Sequence, residues 1–205
     1  MARLEGIIYS AFGNYIVLRG FAPIMSLARI SKKPASYQRD ANNQHKIDIV
    51  NYLADLKSYF PEITLACRVN DYDGLLRSIG DNKDVGKSSN EFVKGLRILS
   101  ERLPIGRDRA RHAYIEIINP TDEDKLLRVD GNHRLEPFDK AVTDISWWHQ
   151  FVTNREAIKD ETDPERRKGW LDYQAELFKK KISSKIVPFT IILSDATDAD
   201  NFEAK

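Results

Sequence analysis

The sequence predicts a single α/β domain on a mixed sheet, and three observations carry that expectation. Runs rich in β-branched and aromatic residues alternate with runs whose apolar residues recur at three- and four-residue spacing. The 205 residues are 41% hydrophobic and 10% aromatic, enough for one packed core and too apolar for wholesale disorder. The last apolar run, Ile186 to Leu193, is almost continuous, as a strand inside a sheet should be.

Taken in order, Gly6 to Ser10, Tyr15 to Phe21 and Met25 to Ile30 read as strands, with Gly13-Asn14 and Ala22-Pro23 as turn signals. A basic, polar linker runs from Ser31 to Asn43 and contains Pro34 and Tyr37-Gln38-Arg39. The first helix spans Asn43 to Phe60, where Val50, Leu53, Leu56 and Phe60 share a face. Pro61 ends it, because the residue before a proline is pushed out of helical geometry. Ile63 to Val69 reads as a buried strand.

Asn70 to Arg111 reads as an excursion from the sheet, with a polar stretch over Gly80 to Asn90. A helix over Asn90 to Arg102 follows, closed by Pro104 and Gly106. His112 to Ile118 and Lys125 to Val129 read as a hairpin around the Asn119-Pro120-Thr121-Asp122 turn. A helix starts within Asn132 to Phe138, limited by Pro137. Phe151 to Lys181 is a second, charged helical excursion, with Trp147, Trp148 and Trp170 as apolar mass beside it. Asp198 to Lys205 reads as the opening of a helix with carboxylates at its positive end. It stops there, and the expectation is that the native chain, or its relatives, continue.

Composition narrows the function classes. Lys plus Arg number 32 against 31 Asp plus Glu, a formal net charge of +1, which argues against coating nucleic acid by bulk charge. A local basic site stays open. The lone cysteine, Cys67, excludes an intramolecular disulfide and a Cys-rich zinc site; in its apolar strand it reads as a small buried hydrophobe. His45, His112, His133 and His149 show no HExxH-like spacing. No zinc, haem or disulfide is expected. Met1 to Gly6 opens no secretion signal and no apolar run is long enough to cross a bilayer, so a cytoplasmic protein without a membrane partner is expected. Gly86-Lys87-Ser88 is no phosphate loop, because Asp81 stands where that motif needs glycine.

One segment carries chemistry: Leu126-Leu127-Arg128-Val129-Asp130-Gly131-Asn132-His133-Arg134-Leu135. An apolar strand delivers Asp130 at its carboxyl end, where α/β folds place ligands. Gly131 permits a tight turn and close backbone approach. A helix starting here would aim its first N–H groups at an anion. Arg134 adds a planar fork suited to phosphate oxygens and His133 a second donor. Asp130 can orient these groups or hold a metal ion. The plainer reading is a charged surface turn with a structural Asp–Arg pair.

Asp130-Gly131-Asn132-His133-Arg134 resembles the Asp-Gly-Gln-His-Arg motif of the DGQHR-domain family, which includes the DndB-type proteins of DNA phosphorothioate systems. Asn132 stands where Gln is usual, which keeps the amide on a shorter reach. Tyr37-Gln38-Arg39-Asp40 ahead of a helix, and Val187-Pro188-Phe189-Thr190-Ile191-Ile192, are similar to two further segments of this family and of the wider ParB and sulfiredoxin-like group. The resemblance runs from about Tyr37 to Phe202, without a counterpart for the two excursions.

It implies a ParB/sulfiredoxin-like core with helical insertions at about 70–111 and 151–181. It also implies a nucleoside triphosphate, with possible hydrolysis. Gln38, Arg39, Gly131, Asn132 and Arg134 would hold the nucleotide, with Asp130 and His133 as the catalytic pair and a magnesium ion at Asp130. A DNA-modification or phage-defence system would supply DNA and protein partners. Asn132 occupies the position of the sulfiredoxin cysteine, which excludes sulfinic acid repair. The alternatives are a non-catalytic DNA-binding regulator, in which Lys179-Lys180-Lys181 and Lys185 would also meet phosphates, and an interaction module. Arg39 also reads as a solvated linker residue, and the tryptophans as anchors rather than a base-stacking platform.

Overall fold

The computed structural model describes residues 2–11, 15–33, 42–55, 59–69, 71–80, 90–93, 96–102, 111–117, 125–141 and 144–195. Over these the chain is a mixed α/β fold on one nine-stranded sheet. Its strands are β1 (Ala2–Ser10), β2 (Ile16–Pro23), β3 (Ser31–Lys32), β4 (Ile63–Val69), β5 (Asn90–Val93), β6 (Leu96–Arg102), β7 (Arg111–Ile117), β8 (Leu126–Asp130) and β9 (Ile186–Asp195). They lie in the order β3-β8-β4-β9-β2-β1-β7-β6-β5. The pairs β3–β8 and β4–β9 are parallel and the remainder antiparallel. The helices are α1 (Ile24–Ile30), α2 (Asn43–Ala54), α3 (Tyr72–Gly80), α4 (Asn132–Ala141) and α5 (Pro164–Ser183), with 3-10 turns at Ser146–Phe151 and Arg155–Ile158.

The last apolar run lies inside the sheet, with β9 between β4 and β2. Four expectations need correcting. Met25 to Ile30 is helical, not a strand. Its β-branched Ile24 and Ile30 stand at the ends, while Met25, Leu27, Ala28 and Arg29 between them favour helix. The helix α2 ends at Ala54 rather than Phe60, because the Asp55 N–H closes on the Asn51 and Tyr52 carbonyls and Asp55 turns extended. Residues 56–58, with Leu56, lie outside the described residues.

The stretch from Asn90 to Arg102 is a pair of strands rather than a helix, and it joins the sheet instead of leaving it. Leu96↔Ile117 through Arg102↔Arg111 pair along the edge of β7, and a paired edge outweighs local helix propensity. The expected β7–β8 hairpin is absent: β7 lies between β1 and β6, and β8 between β3 and β4. The turn signals Gly13-Asn14 and Asn119 to Asp122, the polar run 81–89, and Asp198 to Lys205 lie outside the described residues.

Alternation along the strands builds one core. Leu4, Ile8, Leu18, Ile63, Leu65, Val187, Phe189 and Ile191 are buried together with Leu27, Val50, Leu53, Leu135, Phe138, Trp148, Ala175 and Ile182 from the helices. The alternate residues of the central strands point the other way, and Ile7, Phe21 and Ile186 among them are exposed. Among the described residues no helix is long and apolar enough to cross a membrane.

Candidate functional site at the head of α4

The strand-to-helix turn forms as the motif predicts. β8 ends at Asp130, Gly131 adopts φ +83° and α4 begins at Asn132. A Cβ on Gly131 would stand 3.2 Å from Ile63 Cγ1, in a backbone region that L-residues disfavour. The Asp130 carboxylate accepts from the Gly131 N–H at 2.6 Å. The N–H groups of Arg134 and Leu135 both reach the Gly131 carbonyl at 3.0 Å. The N–H groups of Asn132 and His133 therefore precede the first intrahelical bond, the anion-seeking position of a helix. Pro137 has no N–H to offer the His133 carbonyl one turn below.

Arg134 is held within the fold. Its Nη2 donates to Asp130 Oδ2 at 2.8 Å and its Nη1 to the Glu62 carbonyl at 3.1 Å. The Glu62 carboxylate in turn accepts from Arg19 Nε at 2.8 Å, from Arg19 Nη2 at 3.0 Å and from the Thr190 hydroxyl. That hydrogen bond, and then the charge of Glu62, raise the Arg19 pKa above the usual arginine value. By register Asp130, Thr64, Thr190 and Arg19 form one row across β8, β4, β9 and β2.

Asp130 orients Arg134 in this structure. Both its oxygens are engaged, one by a guanidinium, and no group of three His, Cys, Asp or Glu side chains suited to a metal occurs among the described residues.

Arg128, which no motif singles out, organises the base of the site. Only 1% exposed, it meets Asp139 through two contacts of 2.6 Å and donates to the Ser31 hydroxyl at 2.9 Å and to the Ala28 and Ser31 carbonyls. It thereby ties β8 to α4, α1 and β3. Asn132 is buried above it, with Oδ1 3.4 Å from Arg128 Nη1 and Nδ2 without a hydrogen-bond partner among the described residues.

A second helix end meets the first. The Asn42 side chain caps α2 by accepting from the His45 N–H at 2.7 Å. The His45 and His133 rings, each within the first three residues of its helix, lie 6.0 Å apart, edge to face. Between the helices the nearly buried Lys46 and Glu136 approach to 3.6 Å. His133 Nδ1 is buried, 3.6 Å from the other Glu136 oxygen and beyond hydrogen-bonding distance. Lys46 and the His133 imidazole thus both approach the Glu136 carboxylate where the two helix N-termini meet. His45, Lys46 and Glu136 escaped the sequence reading; the available signal was Glu136, one helical turn from His133.

The other expected members contribute less. Gln38 and Arg39 lie outside the described residues, as does Gly86-Lys87-Ser88. Trp148 is fully buried, with Trp147 at 5.2 Å and Phe151 at 5.7 Å around it. Trp147 and Trp170 pack against the same core, so the trio anchors the helical region. Lys179 pairs with Glu176 at 3.5 Å. Burial pushes the Cys67 thiol up to about 12, a setting for an unreactive side chain. Comparison with protein-family models, with curated proteins and with solved structures finds no match.

Proposed function

We propose that the chain is a nucleotide-binding domain that takes the phosphates of a nucleoside triphosphate at the head of α4. The observation that carries the reading is the pair of buried polar atoms, Asn132 Nδ2 and His133 Nδ1, that lack hydrogen-bond partners among the described residues where two helix N-termini meet. Leaving such atoms unpaired costs about 1–3 kcal/mol each, so native structures seldom keep them without a use. An anion there would accept from the Asn132 and His133 N–H groups, and it would offset the repulsion between two positive helix ends.

Arg134 contributes at small cost. Asp130 is 70% exposed, and a solvent-screened pair of this kind is worth about 1 kcal/mol or less, so a phosphate can take over the Nη2 donor. Arg39, three residues ahead of the α2 cap in sequence, would add a second guanidinium. Magnesium would arrive on the phosphates and keep its water ligands, as this ion commonly does. The resemblance of Asp130 to Arg134 to the DGQHR motif points the same way, toward proteins of DNA-modification systems.

Calorimetric titration with ATP, GTP and CTP, with and without magnesium, tests the reading. Saturable binding to at least one nucleotide is expected. Replacing either donor, His133→Ala or Arg134→Ala, should weaken it roughly tenfold or more, the scale of a charge-assisted hydrogen bond. Absence of binding in a folded sample, or affinity indifferent to both substitutions, overturns it.

A further inference from the structure

We infer that the apolar groove beside Arg19 and Phe21 on the sheet is the subsite for the planar base of that nucleotide, an inference that rests on the phosphate-binding reading above. The groove measures about 680 Å³ and is walled by Tyr9, Phe21, Tyr59, Phe60, Ile186 and Pro188. Ligand sites of small molecules have this size and this mix of aromatic walls with a few polar groups. Three of the walls are large apolar side chains held in water: Phe21 is 70% exposed, Tyr59 74% and Ile186 60%. A cluster of such side chains marks a surface with an occupant.

Continuity with the head of α4 identifies the occupant. Arg19 lines the groove and grips the Glu62 carboxylate, while the Glu62 carbonyl takes Arg134. One hydrogen-bonded path thus runs from the groove rim to the motif. Asp130 and the groove residue Arg19 share a row three strands apart, about 14 Å on the sheet. A ribose with its full triphosphate, extended, bridges that span, which sets the terminal phosphate at the Gly131 turn and the base against Phe21 and Tyr59. Every base has a π-face for such a wall, and Arg19 with Glu62 offers donors and acceptors to its edge.

Calorimetry with inorganic triphosphate beside ATP, GTP and CTP separates the two claims. In the unaltered protein, the preferred nucleotide should bind at least tenfold tighter than triphosphate. Phe21→Ala and Tyr59→Ala, both at exposed positions the core does not need, should shrink that gap by roughly fivefold or more while leaving triphosphate affinity unchanged. Equal affinity for triphosphate and every nucleotide overturns the base subsite alone, as does a gap that survives both substitutions. Loss of a dimer on Phe21→Ala in sedimentation assigns the groove to a second copy and also overturns it. Failure of triphosphate and nucleotides alike overturns the phosphate reading and this inference together.

Discussion

At the scale of single residues, the two arginines of the motif strand and helix have opposite duties. Arg128 is buried and its partner Asp139 leaves no spare donor on that side; Arg134 shares the water-exposed Asp130. Asp139→Ala should therefore strand a buried cation and cost about 3 kcal/mol. Asp130→Ala should cost about 1 kcal/mol or less. Urea unfolding of the two variants measures the difference, and equal losses would contradict this division of labour.

Gly131→Ala carries a different penalty, from its φ of +83° and the nearby Ile63 side chain, of about 1–3 kcal/mol. Cys67 supplies a pH test. The folded protein keeps its thiol protonated to about pH 12, whereas the unfolded chain ionises near the ordinary value, so stability should fall as pH climbs from about 9 toward 12. Iodoacetamide at pH 8.5 should leave Cys67 unmodified until denaturant is added; rapid labelling of the native protein would refute its burial.

At the scale of elements, α2 and α4 are joined by Lys46 and Glu136, an ion pair nearly removed from water. Glu136→Ala should cost about 3 kcal/mol by leaving Lys46 uncompensated. The double variant Lys46→Met with Glu136→Leu should recover most of that loss, since an apolar pair of similar volume replaces a buried ion pair at little cost. Thermal unfolding of the single and double variants decides it.

The sequence was legible where local pattern and tertiary need agree. The strand Ile63–Val69, the last strand and the Gly131 turn follow from apolar runs and a glycine. It was misleading where pairing partners are distant. β6 is a strand because β7 offers it an edge, and nothing inside Leu96–Arg102 states that. The partners Asp139 and Ser31 lie 11 and 97 residues from Arg128, so nothing local marks this arginine as buried.

At the scale of the whole molecule, the sheet keeps its two faces apart. Among the described residues the helices pack on the core; away from it the sheet carries a row of polar side chains from Asp130 to Arg19, beside an apolar groove. The motif turn stands where the two meet, at the end of β8, and the α2 N-terminus faces it. Asp130, Gly131, Asn132, His133 and Arg134 were readable as a unit because they are contiguous. His45, Lys46, Glu62 and Arg19 join them only through the fold.

The most direct test of an anion at this junction is amide chemical-shift mapping during titration with inorganic triphosphate. The Asn132 and His133 amides should shift first and saturably, with those of Asn43 and Gln44 at the neighbouring helix end. Saturable shifts confined to other parts of the chain, or none at all in a folded sample, would contradict the account.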